Sequence, residues 1–105
     1  MSEITPALIE AAIAGDSAAM VAIVDAMEPV IRAQIRIVAP GASREVREDI
    51  AQDARVAVIS TVMRYSSGSS ATLTTYLFPR VRGAVLAAWG AERAAVTTDR
   101  DTQDR

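Results

Sequence analysis

A chain of 105 residues can bury one modest core, and with half of them apolar but only 4% aromatic, closely packed helices are favoured over a sheet sandwich. The sequence has neither cysteine nor histidine, which excludes disulfides, zinc–thiolate sites and catalysis by a thiol or imidazole. Its net charge of −2 argues against a free-standing, non-specific DNA-binding protein, which would display a broad basic face.

The first part of the chain predicts three short helices separated by glycine and proline. Thr5 is placed to cap the first helix, and Gly15 is placed to end it. Pro29 predicts a break between the second helix and the third, and Pro40-Gly41 closes the third. The expected helices cover residues 7–14, 17–27 and 30–38.

Residues 44–65 predict a longer helix with two distinct faces, capped by Ser43. The apolar face predicts the core side and comprises Ile50, Ala54, Ala57, Val58, Thr61, Val62 and Tyr65. The opposite, mixed face comprises Asp49, Gln52, Asp53, Val56, Ile59, Ser60 and Met63. Apolar residues rimmed by polar ones are typical of protein interfaces. Packing against another helix of the same domain is the alternative, and the residues alone leave both open.

A serine-rich turn over residues 66–70 leads into the last helix, predicted from Thr72 or Thr74 to about Gly90. Its predicted core face comprises Leu73, Leu77, Phe78, Val81, Ala84, Val85 and Ala88. The other face comprises Thr72, Thr75, Tyr76, Pro79, Arg82, Gly83 and Leu86, with Arg80 at its edge. A ring beside guanidinium groups suits single-stranded DNA, because the ring stacks on an unpaired base while arginines hold phosphates. One tyrosine and two arginines also occur on ordinary amphipathic helices.

Two ordered blocks carry a family resemblance. Residues 49–65 read DIAQDARVAVISTVMRY and residues 75–86 read TYLFPRVRGAVL. Together they resemble the second conserved region of bacterial RNA polymerase sigma factors, with no gap needed between the blocks. Leu8, Ile9, Ala12, Gly15, Asp16 and Ala19 match the segment that opens the region. The resemblance implies an all-α, compact bundle of four to five helices over residues 1–90, sigma region 2-like, followed by a polar tail or linker over 91–105.

The resemblance also implies partners for the two outer faces. The face of the helix over 44–65 is expected to bind the clamp coiled coil of the largest subunit of core RNA polymerase, through Asp49, Gln52, Asp53, Val56, Ile59 and Met63. The last helix is expected to contact the single-stranded −10 promoter element, only with polymerase present, through Thr72, Thr75, Tyr76, Arg80 and Arg82. The chain departs from the primary members of the family in carrying Pro79-Arg80 where they have two tryptophans.

After Trp89 we expect neither a third nor a fourth sigma region, and therefore no helix-turn-helix there that could read the −35 element. A separate region 4-type protein would supply that reader, and an anti-sigma protein is a further expected partner. Two alternatives stay open: a sigma-like protein that occupies the clamp and modulates or blocks other sigma factors without binding DNA, and an unrelated helical scaffold. No catalytic residues, cofactor, metal or membrane partner are expected, and the protein is expected to be a non-enzymatic, cytoplasmic one.

Overall fold

The computed structural model describes residues 4–65 and 70–103, and side chains for 4–65 and 73–95. The described residues form four α-helices and no strand: α1 (Pro6–Ile13), α2 (Ser17–Val38), α3 (Arg44–Arg64) and α4 (Ser70–Gln103). The prediction of an all-α bundle of four to five helices is therefore confirmed. The expected serine turn over 66–70 lies almost entirely outside the described residues.

Each of the first three helices begins at a side chain that accepts a hydrogen bond from the N–H three residues later. Thr5 Oγ1, Asp16 Oδ1 and Ser43 Oγ each accept such a bond at 3.2 Å. These caps satisfy N–H groups that have no partner inside their own helix, and each contributes about 1 kcal/mol. The starts of these helices are thus determined locally, by residues readable in the sequence.

The turn between α1 and α2 depends on the Gly15-Asp16 pair. The Gly15 N–H donates to the carbonyl of Ala12 at 3.1 Å, and the Asp16 N–H donates to that of Ala11 at 2.9 Å. These two bonds form the Schellman motif, which requires a left-handed residue after the helix. Gly15 supplies it with φ of 105°. Asp16 then caps α2, so two adjacent residues end one helix and begin the next.

Two glycine-to-alanine changes should have opposite effects on stability. Gly15→Ala places a Cβ on a left-handed backbone and should destabilise the fold by about 1–2 kcal/mol. Gly83→Ala should stabilise it by about 0.5–1 kcal/mol, because Gly83 lies inside a helix and an added Cβ meets no atom within 4 Å. Urea unfolding followed by circular dichroism measures both. Equal effects of the two changes would contradict this account of Gly15.

The prediction of a helix break at Pro29 is wrong, because α2 runs without interruption from Ser17 to Val38. A single buried row joins the two predicted helices, with Ile23 and Met27 before the proline and Ile31 and Ile35 after it. Pro29 itself is exposed, so its ring lies on the side of the helix that faces water. Burial of this row outweighs the local cost of a proline that cannot donate its backbone hydrogen bond.

The core lies between all four helices, and α3 and α4 form the most extensive contact in the bundle. Because they are joined by a short connection, the two helices run antiparallel. Their predicted inner faces are largely confirmed, with Ile50, Ala54, Val58 and Val62 of α3 and Leu73, Leu77, Val81 and Val85 of α4 buried.

Phe78, predicted on the core face of α4, lies outside the core. Phe78 is 47% exposed, because at 100° per residue it lies about 80° from the middle of the buried face of α4. Ile13 is also exposed, and Ile9 and Ala12 take the buried positions of α1 instead. The error at Phe78 comes from counting an apolar residue at the edge of a helix face as part of that face.

The fourth helix is longer than expected. Helical backbone continues to Gln103, whereas the sequence predicted an end near Gly90. Trp89 is half-buried against the core, so the contacts of α4 with the bundle extend to this residue. The division into a domain over 1–90 and a tail over 91–105 stays a prediction. No helix in the described part of the chain is both apolar and long enough to cross a membrane.

Candidate functional site

The outer face of α3 is exposed as predicted. Val56, Ile59 and Met63 are 53%, 39% and 51% exposed, and Asp49, Gln52 and Asp53 are exposed beside them. A straight row along the helix is formed by residues at alternating intervals of three and four, namely Asp49, Gln52, Val56, Ile59 and Met63, and Asp53 lies at its edge. The same spacing characterises the seam of a coiled coil. The row can therefore accept an apolar helix along its length. We call it the α3 row.

An arginine at the edge of this row connects it to α2. Arg55 donates to both carboxylate oxygens of Glu28, from Nε to Oε2 at 3.1 Å and from Nη2 to Oε1 at 2.7 Å. Its remaining nitrogen, Nη1, donates to Oε1 of Gln52 at 3.2 Å. Paired bonds to one carboxylate fix the plane of a guanidinium. Gln52, a member of the α3 row, is thus oriented by a contact that reaches α2.

A second arginine completes this α2–α3 network. Arg32 donates to Glu28 at 3.1 Å and to Glu48 at 2.9 Å. The hydrogen bond from Arg55 is the main cause that lowers the pKa of Glu28, and the hydrogen bond from Arg32 is the main cause that lowers the pKa of Glu48. Glu28 is therefore shared by two guanidinium groups and holds the two helices in register.

The Glu28 contacts predict a loss of stability in acid. A folded-state pKa below the ordinary value of 4.5 means that the unfolded chain takes up the proton first, so stability falls as pH drops below about 4.5. In Glu28→Gln this part of the pH dependence should be absent. Urea midpoints between neutral pH and pH about 3 test this, with Glu10→Gln as the control, since exposed Glu10 forms no ion pair with the described residues. Unchanged acid sensitivity in Glu28→Gln would contradict it.

The outer face of α4 carries the predicted aromatic and basic residues together. Tyr76 is 44% exposed, and the Arg80 guanidinium lies over its ring at 4.7 Å from the centroid. Arg80 Nη2 also donates to the Tyr76 hydroxyl. Thr75 and Arg82 are exposed on the same helix, whereas the side chain of Thr72 lies outside the described ones. One face of the tyrosine ring is therefore covered by a cation, and the other can accept a base.

Arg82 has a contact that the sequence did not predict. Its Nη1 lies 3.5 Å from Oε1 of Gln34, a buried glutamine of α2 that is only 4% exposed. The bond is long and correspondingly weak. Gln34 lies next to Ile35 on the buried side of α2. Its position in the helical repeat was the sequence feature that could have predicted its burial. Arg82 thus has a partner inside the bundle.

A groove of about 340 Å³ separates the two outer faces. Ser60 and Arg64 line it from α3, and Pro79, Arg80 and Gly83 line it from α4. The remaining lining residues, Ala57, Thr61 and Ala84, are small, and no carboxylate lines the groove. Arg64 was not among the predicted site residues, because its closeness to Arg80 depends on how the helices pair. The groove thus combines two cations with two hydroxyl groups and can attract an anion.

Comparison with known families assigns the first three helices. A family model described as a helix-turn-helix domain matches residues 6–66, which cover α1, α2 and α3. The chain belongs to this family. Comparisons with curated proteins and with solved structures gave no match. Membership in the helix-turn-helix family indicates DNA binding in transcription regulation.

The family match covers the α3 row but not the outer face of α4. The match lies within residues 6–66, whereas the helix-turn-helix expected to be absent was a reader of the −35 element after Trp89, so that expectation stays a prediction. In the sequence, the matched motif is indicated by the two capped helices on either side of the Pro40-Gly41 turn. The α3 row lies inside the helix-turn-helix match, whereas Tyr76 and Arg80 on α4 lie beyond it. The two outer faces are therefore separate in sequence as well as in space.

Proposed function

We propose that this helix-turn-helix protein is a sigma region 2-like module of transcription initiation. It binds core RNA polymerase through the α3 row and contacts the single-stranded −10 promoter element through the outer face of α4. The observation that carries the proposal is the exposed apolar part of the α3 row, Val56, Ile59 and Met63, flanked by Gln52 and Asp53. A solvated helix face has no reason to present three apolar side chains in line.

The geometry of the α3 row supports a helical partner. Side chains spaced alternately by three and four fit between the side chains of a facing helix, as in coiled coils. The clamp coiled coil of the polymerase's largest subunit presents such helices. Asp49 and Asp53 at one end of the row then favour basic groups on that partner.

The outer face of α4 supports a weak contact with unpaired DNA. One base stacked on Tyr76 contributes about 1–3 kcal/mol, and Arg64 and Arg80 beside the groove attract the adjacent phosphates. On a chain with a net charge of −2 this does not hold a strand alone. Polymerase supplies the melted DNA at this surface, so the contact forms only in the assembled complex.

The proposed role is non-enzymatic and places the protein in the cytoplasm with polymerase and DNA. It needs neither a metal nor a cofactor. A separate region 4-type protein is the proposed reader of the −35 element, and an anti-sigma protein would compete for the same surfaces. Each of these partners acts on the exposed faces of α3 and α4, and the proposed role involves no membrane.

Two observations favour a second function, in which the protein occupies the clamp and blocks other sigma factors without binding DNA. Arg80 already contacts Tyr76, and Arg82 already contacts Gln34, so two of the proposed DNA residues have partners within the bundle. In this second function the α3 row still binds polymerase, but α4 does not contact DNA.

The helix-turn-helix match favours a third function, the reading of duplex DNA by α3. Residues near the start of the second helix of such a motif contact base edges. Arg44 and Arg47 are exposed there, but the same helix also exposes Glu45, Asp49 and Asp53, which repel a polyanion. The charges of α3 therefore suit a protein partner better than a DNA groove.

A sizing column tests the proposal. The protein is mixed with core RNA polymerase, and co-elution of the two is expected, with Tyr76→Ala co-eluting equally because it lies outside the α3 row. Duplex DNA is run in a parallel experiment without polymerase. Failure to co-elute, together with duplex binding that Arg47→Ala removes, would replace the proposal by the duplex-reading function.

A further inference from the structure

We infer that Arg55 is a positioning residue that turns the Gln52 amide so that its NH2 group faces the partner. The group opposite Gln52 on the partner is then a hydrogen-bond acceptor, a carboxylate or a carbonyl oxygen. This inference rests on the proposed function, since it specifies the chemistry of the polymerase surface that the α3 row binds.

The orientation follows from how Arg55 is held. Two of its nitrogens donate to the two oxygens of Glu28 on α2, which fixes the guanidinium plane. The third nitrogen, Nη1, is then directed at Gln52 Oε1, 3.2 Å away. Arg55 is half-buried between the two helices, so water competes less for these bonds than at an exposed position.

The polarity of the exposed amide follows from this bond. A glutamine side chain has one carbonyl oxygen, which accepts, and one NH2 group, which donates. An arginine has no acceptor, so it can hold Gln52 only by its oxygen. With Oε1 turned toward Arg55, the NH2 group is left for the partner. Glutamate at this position could still bind Arg55 but could donate nothing.

The neighbours of Gln52 sharpen the description of the partner. Asp49 and Asp53, both exposed, offer only acceptors and a negative charge. A fitting partner helix therefore carries one acceptor opposite Gln52, basic groups opposite the two aspartates, and apolar side chains opposite the rest of the α3 row. The partner surface thus carries both an acceptor and basic groups. A uniformly basic surface, which would bind the aspartates by net charge alone, does not fit this pattern.

A double-mutant cycle on polymerase affinity tests the positioning role. Arg55→Ala and Gln52→Ala should each weaken binding roughly tenfold, the loss expected for one interfacial hydrogen bond, and the double variant should lose little more than either. Gln52→Glu should weaken binding at least as much as Gln52→Ala, because it adds a charge opposite the acceptor. Glu48→Gln is the matched control, since it breaks the neighbouring Arg32 contact without touching Gln52.

A measurement on the free protein separates this inference from the proposed function. The NMR signals of the Gln52 amide and of Arg55 Nε–H should both shift in Glu28→Gln and should keep their positions in Glu48→Gln. Additive losses in the cycle, or Gln52→Glu binding as tightly as the wild type, would overturn the inference while polymerase binding stands. Absence of binding by the wild type would overturn the proposed function and the partner assignment with it, while unmoved NMR signals would overturn the Arg55 contact itself.

Discussion

Replacing Gln52 and Ile59 together by glutamate should abolish binding to core RNA polymerase without reducing the helicity of the free protein. Both side chains lie in the middle of the α3 row, where interface residues contribute most. At about 2 kcal/mol for each such residue, the two losses together should lower the affinity by roughly 1,000-fold. Both positions are exposed, so unfolding stability should change by no more than about 0.5 kcal/mol for each.

The control for this double variant uses an apolar side chain on another face. Ile37 is 65% exposed on α2, so Ile37→Glu adds a charge of the same kind away from the α3 row. Affinity measured by fluorescence anisotropy should be unchanged in this control. If the double variant binds polymerase with full affinity, or if Ile37→Glu loses as much affinity as the double variant, then the α3 row is not the interface.

Tyr76→Ala should remove crosslinking to the −10 element inside the polymerase complex. The loss of one base stack corresponds to a reduction of roughly 5- to 150-fold. Tyr76→Phe should retain most of the signal, because the stacking ring remains. The isolated protein should give no band shift with single-stranded DNA, since a single stack and a few phosphate contacts do not offset the ordering of a flexible strand.

A second aromatic on the same helix provides the control for Tyr76. Phe78 is comparably exposed, but it lies nearer the buried face of α4 and outside the predicted DNA residues. Phe78→Ala should therefore leave crosslinking intact. Tight binding of DNA by the isolated protein would contradict a contact that depends on polymerase. If Tyr76→Ala crosslinks to the −10 element as well as the wild type does, the second function is favoured, in which the protein occupies the clamp without binding DNA.

The helix faces were predictable because each depends on one helix at a time. A periodicity of 3.6 residues separates Val58 from Ile59, one buried and one exposed, without any knowledge of the neighbouring helices. The caps at Thr5, Asp16 and Ser43 are equally local. The exposure of the α3 row was thus available from the sequence, whereas its binding partner rests on resemblance.

The features that the sequence did not predict depend on contacts between helices. The prediction of a break at Pro29 was wrong because the sequence shows the destabilising effect of a proline within a helix. It does not show that Ile23 and Ile31 on either side of the proline are buried. The contact of Arg55 with Glu28 joins residues far apart in the sequence, and no pattern within one helix indicates it. The groove beside Arg64 and Arg80 likewise requires the registration of α3 against α4.

The groove between α3 and α4 also bears on how salt would act on the complex. In the proposed complex, polymerase on the α3 row would lie next to Ser60 and Arg64 at one wall of the groove, and by excluding water there it would lower the effective dielectric constant around Arg64 and Arg80. Their attraction for a phosphate then strengthens without any movement of the side chains. Added salt should therefore weaken DNA crosslinking in the complex less than it would weaken a contact between the same arginines and DNA in open water.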